Sequence, residues 1–291
     1  MPESNPYEVL IVGGGMAGLS AATFTARAGL DTVVVAAGES ILKRNAHVEN
    51  YLGFPAGINP RLLLEMGRSQ ATRNGADLRR GRVTRLEDVS DLDPIDGTDG
   101  GDRAGRTDRD ETDREPRFRA VLEREETTED DDGDGRAPET ILAERVIATS
   151  WSDASYLDPV GADLRAAGSK TYVEDDGHGR TSVEGLYVAG RLAERYHQAI
   201  VAAGDGAETA ITLIHDAEVP FYHDWIAPEG YFTDRGREVP PGCEEIAETE
   251  RRARERESLA AMREYLAEPH GERQRTHPSL VDDDRGRIPE E

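Results

Sequence analysis

A glycine motif of the form GxGxxG stands between a strand-like and a helix-like segment near the start of the chain. Its three glycines are Gly13, Gly15 and Gly18. Residues 7–12 form a short apolar run that Gly13 ends, and residues 16–28 place alanine, leucine, serine and threonine at helical spacing. A second apolar run at residues 32–35 predicts another strand. A strand, a glycine turn, a helix and a second strand in this order predict the beginning of a parallel sheet.

Each glycine of the motif has a physical role that a larger residue does not fill. Gly13 permits a tight turn, Gly15 lets the backbone approach a pyrophosphate, and Gly18 lets the helix pack closely on the strand. The free N–H groups at the start of the helix then face the phosphate charge. In this context the motif predicts a dinucleotide-binding site, and the alternative is a tight turn without a ligand.

The residues after the second strand are candidates for contact with the adenosine end of such a ligand. In sites of this type an acidic residue about 20 positions further on accepts hydrogen bonds from the ribose. The nearest acid here is Glu39, for which the alternative is an exposed loop glutamate. Lys43 and Arg44 follow, and they either bind a 2′-phosphate or neutralise acidic charge of the chain itself.

The chain carries a large excess of acidic residues and very little lysine. Its 291 residues include 59 Asp and Glu against 35 Lys and Arg, so the net charge is −24, and its lysines are Lys43 and Lys170. Because the excess is spread along the chain, it favours adaptation to high salt, a halophilic setting, over an acidic interaction tail. The negative electrostatic potential of such a chain repels phosphate groups, which argues against nucleic acids and membrane surfaces as partners.

Two features that the sequence lacks limit the location and the chemistry of the protein. No apolar run approaches the roughly 20 residues of a membrane-spanning helix, and no basic segment followed by an apolar one opens the chain, so we expect a cytoplasmic protein. The single cysteine, Cys243, excludes an intrachain disulfide, a CxxC redox pair and a cysteine-rich zinc site. We predict no metal site.

The middle of the chain alternates regular elements with acidic excursions. Asn59 followed by Pro60 is typical of a helix start, and Gly75 ends this helix. Residues 90–116 and 125–138 are dominated by Asp, Glu, Gly, Arg and Thr, which predicts two acidic surface insertions in one hairpin region. Further strands are predicted at residues 77–79, 82–87, 118–123, 140–148 and 186–189.

The second half of the chain is predicted to be irregular from residue 151 until the strand at 186–189. A helix follows at about residues 195–214, in which Gly204 and Gly206 indicate the close approach of another backbone or of a ligand. A polar helix is predicted at about residues 244–267, and residues 268–291 are expected to be a disordered tail.

Four segments resemble the thioredoxin reductase family and occur in that family's order. HVENYLGFP at residues 47–55 resembles the family's VENYPGFP segment, and VIATS at 146–150 resembles its IIATG strand. TSVEGLYVAG at 181–190 resembles the second flavin motif, and YHQAIVAAGDG at 196–206 resembles the helix beside the flavin. The resemblance implies an α/β fold. Residues 1–215 would form a Rossmann-like FAD-binding domain, with a parallel sheet and an antiparallel crossover hairpin region, before a C-terminal arm and helix at 216–267.

The resemblance also implies where FAD binds. The pyrophosphate is expected at residues 13–18 and the isoalloxazine near Asn50 and Gln198. His47 and His197 lie in flavin segments and are candidates for proton donors near the ring, with a surface or loop histidine as the alternative. The candidate cofactor-binding residues are Gly13, Gly14, Gly15, Met16, Ala17, Gly18, Glu39, Asn50, Thr149, Gly190, Arg191, Gln198 and Ala199.

Two departures from the family limit the chemistry. Family members carry a nicotinamide-binding domain with a CxxC pair between the ATG strand and the second flavin motif. Here about 40 residues separate Thr149 from Gly190 and no second GxGxxG occurs, so dithiol exchange within one chain is excluded. Arg191 replaces an aspartate that accepts a hydrogen bond from the ribityl chain, and arginine has only donors. Either Arg191 binds the FAD phosphates, the interpretation we favour, or flavin binding is weakened or lost.

The arm after residue 215 is rich in aromatic residues and admits three interpretations. It covers the exposed flavin face as a lid, it closes a homodimer, or it packs on the outer surface of the domain. The neighbours His215 and Asp216, and likewise His223 and Asp224, are weak candidates for a base with its orienting carboxylate. The aromatic residues are Phe221, Tyr222, Trp225, Tyr231 and Phe232.

The sequence therefore predicts an FAD-dependent oxidoreductase that resembles the FAD half of thioredoxin reductase without its dithiol chemistry. The electron donor is NAD(P)H, a partner protein or the substrate itself. The alternative is a non-catalytic protein that binds FAD or NAD(P).

Overall fold

The computed structural model describes residues 5–90, 115–123, 139–221, 223–274, 276, 280 and 288. The two predicted acidic insertions lie outside the described residues, apart from residues 90, 115 and 116. The helices are α1 (Met16–Arg27), α2 (Pro60–Arg73), α3 (Ala199–Asp216) and α4 (Glu248–Tyr265). The strands are β1 (Tyr7–Val12), β2 (Thr32–Ala36), β3 (Asp77–Arg80), β4 (Arg82–Asp88), β5 (Phe118–Glu123), β6 (Glu139–Ala148), β7 (Leu164–Ala167), β8 (Lys170–Val173), β9 (Leu186–Val188), β10 (Trp225–Pro228) and β11 (Cys243–Ile246).

A seven-stranded sheet forms the centre of the fold, with six strands in the order β3-β2-β1-β6-β5-β4 and the seventh, β9, paired with β6. β1 pairs in parallel with β2 and β6, and β2 pairs in parallel with β3, whereas β5 runs antiparallel to both β4 and β6. β6 is long enough to pair with two strands along the same edge. Its first half pairs with β5, and its last three residues pair in parallel with β9. The predicted α/β fold with a parallel sheet and an antiparallel hairpin region is confirmed.

Both faces of the parallel part of the sheet are buried, which explains its uninterrupted apolar strands. Along β1, Val9 and Ile11 face one side and Leu10 and Val12 the other, and all four are at most 5% exposed. Side chains of α1, α2 and α3 cover the first face. Residues of β4, β5 and the helical turn Ser155–Val160 fill the second.

Helices α1 and α3 pack at very short distance through one glycine. A Cβ atom added at Gly206 would lie 2.1 Å from the carbonyl oxygen of Ala17, whereas a Cβ at Gly204 would meet nothing within 4 Å. The predicted close approach at the two helical glycines is therefore right for Gly206 and wrong for Gly204.

Three predictions of local structure are wrong. Helix α3 begins at Ala199 and not near residue 195, because Gly190–Ala193 form a separate helical turn and Glu194 adopts a left-handed conformation with φ of 58°. Helix α4 begins at Glu248, because Cys243–Ile246 pair with Trp225–Pro228 as a strand. Residues 151–185 are not irregular throughout, since β7 and β8 form an antiparallel hairpin there.

The C-terminal arm and helix pack on the outside of the domain. Phe221 packs against the core on the α1 and α3 side, and Asp224 pairs with Arg27 at the end of α1, 2.5 Å from its Nε. Helix α4 has no buried residue, and it contacts α2 through an ion pair between Glu257 and Arg73. These contacts agree with the predicted outer-surface position of the arm.

Residues 268–274, the beginning of the predicted disordered tail, lie against α2 and the turn Ile41–Arg44. Glu272 pairs with Lys43 at 2.7 Å, and the backbone carbonyl of Arg273 accepts a hydrogen bond from the buried Arg61 at 3.1 Å. These contacts join residues 268–274 to the domain. Among the described residues, no helix has both the length and the apolar composition needed to cross a membrane.

Candidate cofactor-binding site

A cleft of about 750 Å³ opens at the carboxyl ends of β1, β2 and β6, where α1 begins. Its volume lies within the range of cofactor and ligand sites, and the carboxyl edge is where open α/β sheets bind ligands. The sequence-predicted residues that line it are Gly13, Gly14, Gly15, Met16, Ala17, Glu39, Asn50, Thr149, Arg191, Gln198 and Ala199, together with His47 and His197. The structure therefore brings together nearly all of the candidate residues, which are distant in sequence.

Gly18 and Gly190 do not line the cleft but shape it from behind. A Cβ on Gly18 would lie 1.9 Å from the carbonyl oxygen of Gly13, so only glycine lets α1 pack this closely on the turn. Gly190 has φ of +72°, and a Cβ there would lie 2.9 Å from the Cβ of Ala17. The backbone N–H of Gly190 donates to Asp205 Oδ2 at 2.6 Å, which fixes the turn against α3.

The open space in front of Gly15 fits a phosphate group. Gly15 is the N-cap of α1 with φ of −85° and ψ of −171°, and a Cβ there would meet only Ser40 Oγ, at 3.8 Å. The first turn of α1 carries no acidic residue and its N-cap makes no side-chain hydrogen bond. The N–H groups at this helix start are therefore available to an anion in the cleft, as a pyrophosphate requires.

Glu39 and Lys43 form an ion pair at the end of β2. Lys43 Nζ lies 2.7 Å from Glu39 Oε2 and 2.7 Å from Glu272 Oε2, and the lysine is 7% exposed. Glu39 lines the cleft, as predicted for an acid near a ribose, and Arg44 lines it too. Of the two interpretations of Lys43, neutralisation of acidic side chains is the one that the structure contains.

Two loops meet at the other end of the cleft. Asn50 Nδ2 donates to Gln198 Oε1 at 2.7 Å, so the two residues that the family resemblance places near the flavin ring contact each other. His47 Nδ1 lies 2.7 Å from Glu49 Oε1 at the edge of the same loop. Leu52 and Tyr196, in these loops, are 88% and 84% exposed. This end of the cleft is therefore open and partly apolar.

Arg191 lies in the cleft with one unused donor. Its guanidinium stacks on Tyr172, with Cζ 4.9 Å from the ring centroid, and donates to the Tyr172 hydroxyl and to the carbonyl oxygen of Arg195. Its Nε is buried and has no hydrogen-bond partner among the described residues. Arg191 is thus held in place by the ring and hydroxyl of Tyr172 and by the backbone of Arg195.

Sequence reasoning missed Trp151, Tyr156, Lys170 and Tyr172. Trp151 lines the cleft and adopts a left-handed conformation with φ of 65°, and its ring contacts His197 at 4.4 Å between centroids. Partial burial lowers the pKa of His197, and the charges of Arg191 and Lys170 lower it further. Burial raises the pKa of Tyr156, whose hydroxyl lies 3.0 Å from Ser150 Oγ, so this phenol stays protonated. In the sequence, the position of Trp151 directly after the VIATS segment could have indicated that it lies at the site.

The candidates in the C-terminal arm lie away from the cleft. Asp216 accepts hydrogen bonds from Arg180 and Tyr187, not from His215, and Asp224 pairs with Arg27. Neither predicted histidine and carboxylate pair is formed. No residue of this arm that the structure describes lines the cleft. The described part of the arm therefore does not form the predicted lid over the flavin face. Within the same described part of the chain, no three potential ligands are grouped to hold a metal ion.

Comparison with known proteins supports FAD as the ligand of the cleft. Residues 8–46 match the family model described as FAD binding domain. A thioredoxin reductase of Aquifex aeolicus is 42% identical over 79 residues, which cover 26% of this chain and 24% of that protein. A thioredoxin reductase of Bacillus subtilis is 38% identical over 68 residues, covering 23% of this chain and 22% of that protein. The chain thus aligns with about a quarter of the length of these curated relatives.

Solved structures show the same fold. An oxidoreductase from Agrobacterium tumefaciens superposes with a TM-score of 0.53 at 15% identity, covering 74% of this chain and 99% of that chain. A thioredoxin reductase from Giardia duodenalis gives a TM-score of 0.50 at 17% identity, covering 74% of this chain and 100% of that chain. The chain is therefore similar to thioredoxin reductases over about a quarter of its length, and residues 8–46 match an FAD binding domain.

Proposed function

We propose that the protein is an FAD-dependent oxidoreductase that works without an intramolecular dithiol step. The observation that carries the proposal is the continuous cleft from the start of α1 to the contact between Asn50 and Gln198. One end offers N–H groups to a pyrophosphate, and the other is open enough for a second reactant to reach a flavin ring.

The single cysteine supports the exclusion of dithiol chemistry. Exchange between a dithiol and a disulfide within one chain needs two sulfur atoms, and this sequence has only Cys243. Cys243 lies on β11, with Sγ 3.6 Å from the carbonyl oxygen of His223, and does not line the cleft. The substrate is accordingly reduced or oxidised at the cleft itself.

Bound FAD would supply hydride or electron transfer through its ring. The chain's own residues bind and orient the cofactor: the turn at Gly13 to Gly15 receives the phosphates, and Glu39 faces the ribose end. Asn50 and Gln198, which fix each other at 2.7 Å, hold the far end of the cofactor in position. The electron donor is a small molecule such as NAD(P)H or a partner protein, and it approaches the open end of the cleft beside the exposed Tyr196.

The visible absorption spectrum of the purified protein tests this proposal. We expect a flavin spectrum, either as purified or after incubation with FAD, and bleaching when NADH, NADPH or a donor protein is added without oxygen. Flavin that stays oxidised with every donor favours the non-catalytic binding protein. A colourless protein that takes up no FAD contradicts the proposal, and mass spectrometry of the released ligand then tests NAD(P).

A further inference from the structure

We propose that the β7–β8 hairpin completes an oxyanion-binding subsite in the cleft, formed by Lys170, Arg191 and His197 around Trp151. The subsite takes the carboxylate or phosphate group of a small anionic substrate. This inference rests on the proposed oxidoreductase function, because it gives the chemical class of the second reactant.

The hairpin brings two side chains next to residues that line the cleft. Lys170, the first residue of β8, holds its Nζ 5.9 Å from the ring centroid of Trp151. Tyr172, two residues further on the same strand, receives a hydrogen bond from Arg191 and supports its guanidinium. Trp151 in turn contacts the ring of His197 at 4.4 Å. Lys170 and His197 thus both contact Trp151, and the charges of Lys170 and Arg191 both act on His197.

The cations of the subsite differ from the other cations of this hairpin region. Arg165 on β7 pairs with Glu174 at 2.7 Å and also with Glu194, and Arg195 pairs with Asp175 at 2.6 Å and Asp205 at 2.7 Å. By contrast, neither Lys170 nor Arg191 has a carboxylate partner among the described residues. In a chain with a net charge of −24, two cations that act on the same histidine and have no carboxylate partner in the described part of the chain point to an anionic ligand.

A further observation indicates a ligand at this place. Trp151 has φ of 65°, a conformation that bulky residues rarely adopt and that is concentrated at ligand-binding sites. The two cations and the His197 ring also repel one another, which an anion would relieve, and this repulsion contributes to the lowered pKa of His197.

Fluorescence of Trp151 gives a direct measurement of the subsite. In a Trp225→Phe background Trp151 is the only remaining tryptophan, and Trp225 packs away from the cleft on Tyr231 and Phe232. Acetate and inorganic phosphate are titrated separately into the apoprotein and the FAD-loaded protein, at ionic strength held constant with chloride. We expect a saturable change in Trp151 emission with at least one of the two anions, in the apoprotein and in the FAD-loaded protein. The anion that binds more tightly identifies the group bound as a carboxylate or a phosphate.

Lys170→Gln is the informative variant, and Arg165→Gln is its matched control. Both remove one positive charge from the hairpin, and Arg165 also lies over the ring of Tyr172, at 5.6 Å, but it already has carboxylate partners. We expect Lys170→Gln to weaken anion binding at least tenfold, Arg165→Gln to change it less than twofold, and both to bind FAD as the parent does.

Two results would overturn the subsite. One is an anion affinity in Lys170→Gln equal to that of the parent. The other is a loss of FAD affinity in that variant, which would assign the cations to the cofactor's own phosphates. If FAD does not bind but the Trp151 signal saturates and depends on Lys170, the oxyanion site stands and the oxidoreductase proposal fails.

Discussion

Gly15 and Gly18 belong to one motif but have opposite surroundings. The position of a Cβ on Gly15 is open apart from Ser40 Oγ at 3.8 Å, and its backbone is extended, so a side chain there enters the cleft without disturbing the protein. We therefore expect Gly15→Val to abolish FAD binding while the free energy of unfolding changes by no more than about 1 kcal/mol. FAD stoichiometry from the visible spectrum, with urea denaturation of the apoprotein, measures both effects.

Gly18→Ala is the control from the same motif. Its Cβ would lie 1.9 Å from the carbonyl oxygen of Gly13, so the cost falls on the fold itself. We expect a loss of about 2 kcal/mol or more in the unfolding free energy of the apoprotein. Unchanged FAD binding in Gly15→Val would show that the phosphates do not approach this turn.

Motif residues could be predicted from sequence, but the residues around Arg191 could not. Gly13, Asn50 and Gln198 belong to local patterns with fixed spacing, and all three line the cleft. Lys170 and Tyr172 contact the cleft residues Trp151 and Arg191 only because a hairpin folds back toward them, which no local pattern encodes. The left-handed conformation of Trp151 is likewise imposed by tertiary contacts, since its intrinsic preference is against it.

At the scale of elements, the packing of α1 on α3 separates the two helical glycines. A methyl group at Gly206 would press on the backbone of Ala17, whereas one at Gly204 meets open space. We expect Gly206→Ala to lower the free energy of unfolding by about 2 kcal/mol and Gly204→Ala to raise it by about 0.5–1 kcal/mol. Urea denaturation of both variants measures the two opposite changes, and equal effects would contradict the arrangement of the helices.

An ion pair joins the end of α3 to the segment before β9. Asp216 accepts from Arg180 Nε at 2.7 Å and from the Tyr187 hydroxyl at 2.9 Å. The hydrogen bond with Arg180 lowers the pKa of Asp216 below its usual 3.8. Because the folded pKa lies below the unfolded one, this stabilisation is present above about pH 4 and is lost as the pH falls further.

Asp216→Asn tests this contribution. We expect it to lower the free energy of unfolding by about 1 kcal/mol at pH 7, a value that allows for partial exposure, and the difference from the parent to shrink as the pH falls toward 3. Urea denaturation between pH 3.5 and 7 measures it. Glu257→Gln, which removes the exposed pair between α4 and Arg73, serves as the control with little expected effect. A difference that persists unchanged at low pH would rule out the charge of Asp216 as its source.

Elements with strong local signals were predicted closely, and those that depend on pairing were not. The strand Phe118–Glu123 has the predicted bounds, and α2 begins at Pro60 after its N-cap Asn59, whose side chain accepts from the N–H of Arg61. Residues 244–246 of the strand Cys243–Ile246 fall within the predicted helix at about 244–267, because the strand is stabilised by pairing with Trp225–Pro228 and not by its own polar sequence.

At the scale of the whole molecule, the net charge of −24 makes stability depend on salt. Repulsion between carboxylates extends over about 10 Å at 0.1 M salt but only about 3 Å at 1 M, so added salt relieves it. We expect the melting temperature to rise by at least about 3 °C, equivalent to about 1 kcal/mol in a chain of this size, between 0.1 and 2 M KCl. Thermal unfolding followed by circular dichroism measures it, with an uncharged osmolyte as the control. An unchanged or lower melting temperature in KCl would contradict salt adaptation.

The contact between Ala17 and Gly206 also determines when the fold can be completed during protein synthesis. The ribosome makes α1 near the beginning of the chain and α3 only after some 190 further residues. At the usual rates of translation, the apolar side of α1 waits roughly 10–40 s for its partner helix. Both helices border the cofactor cleft, so a nascent protein acquires its ligand site only after α3 has been made.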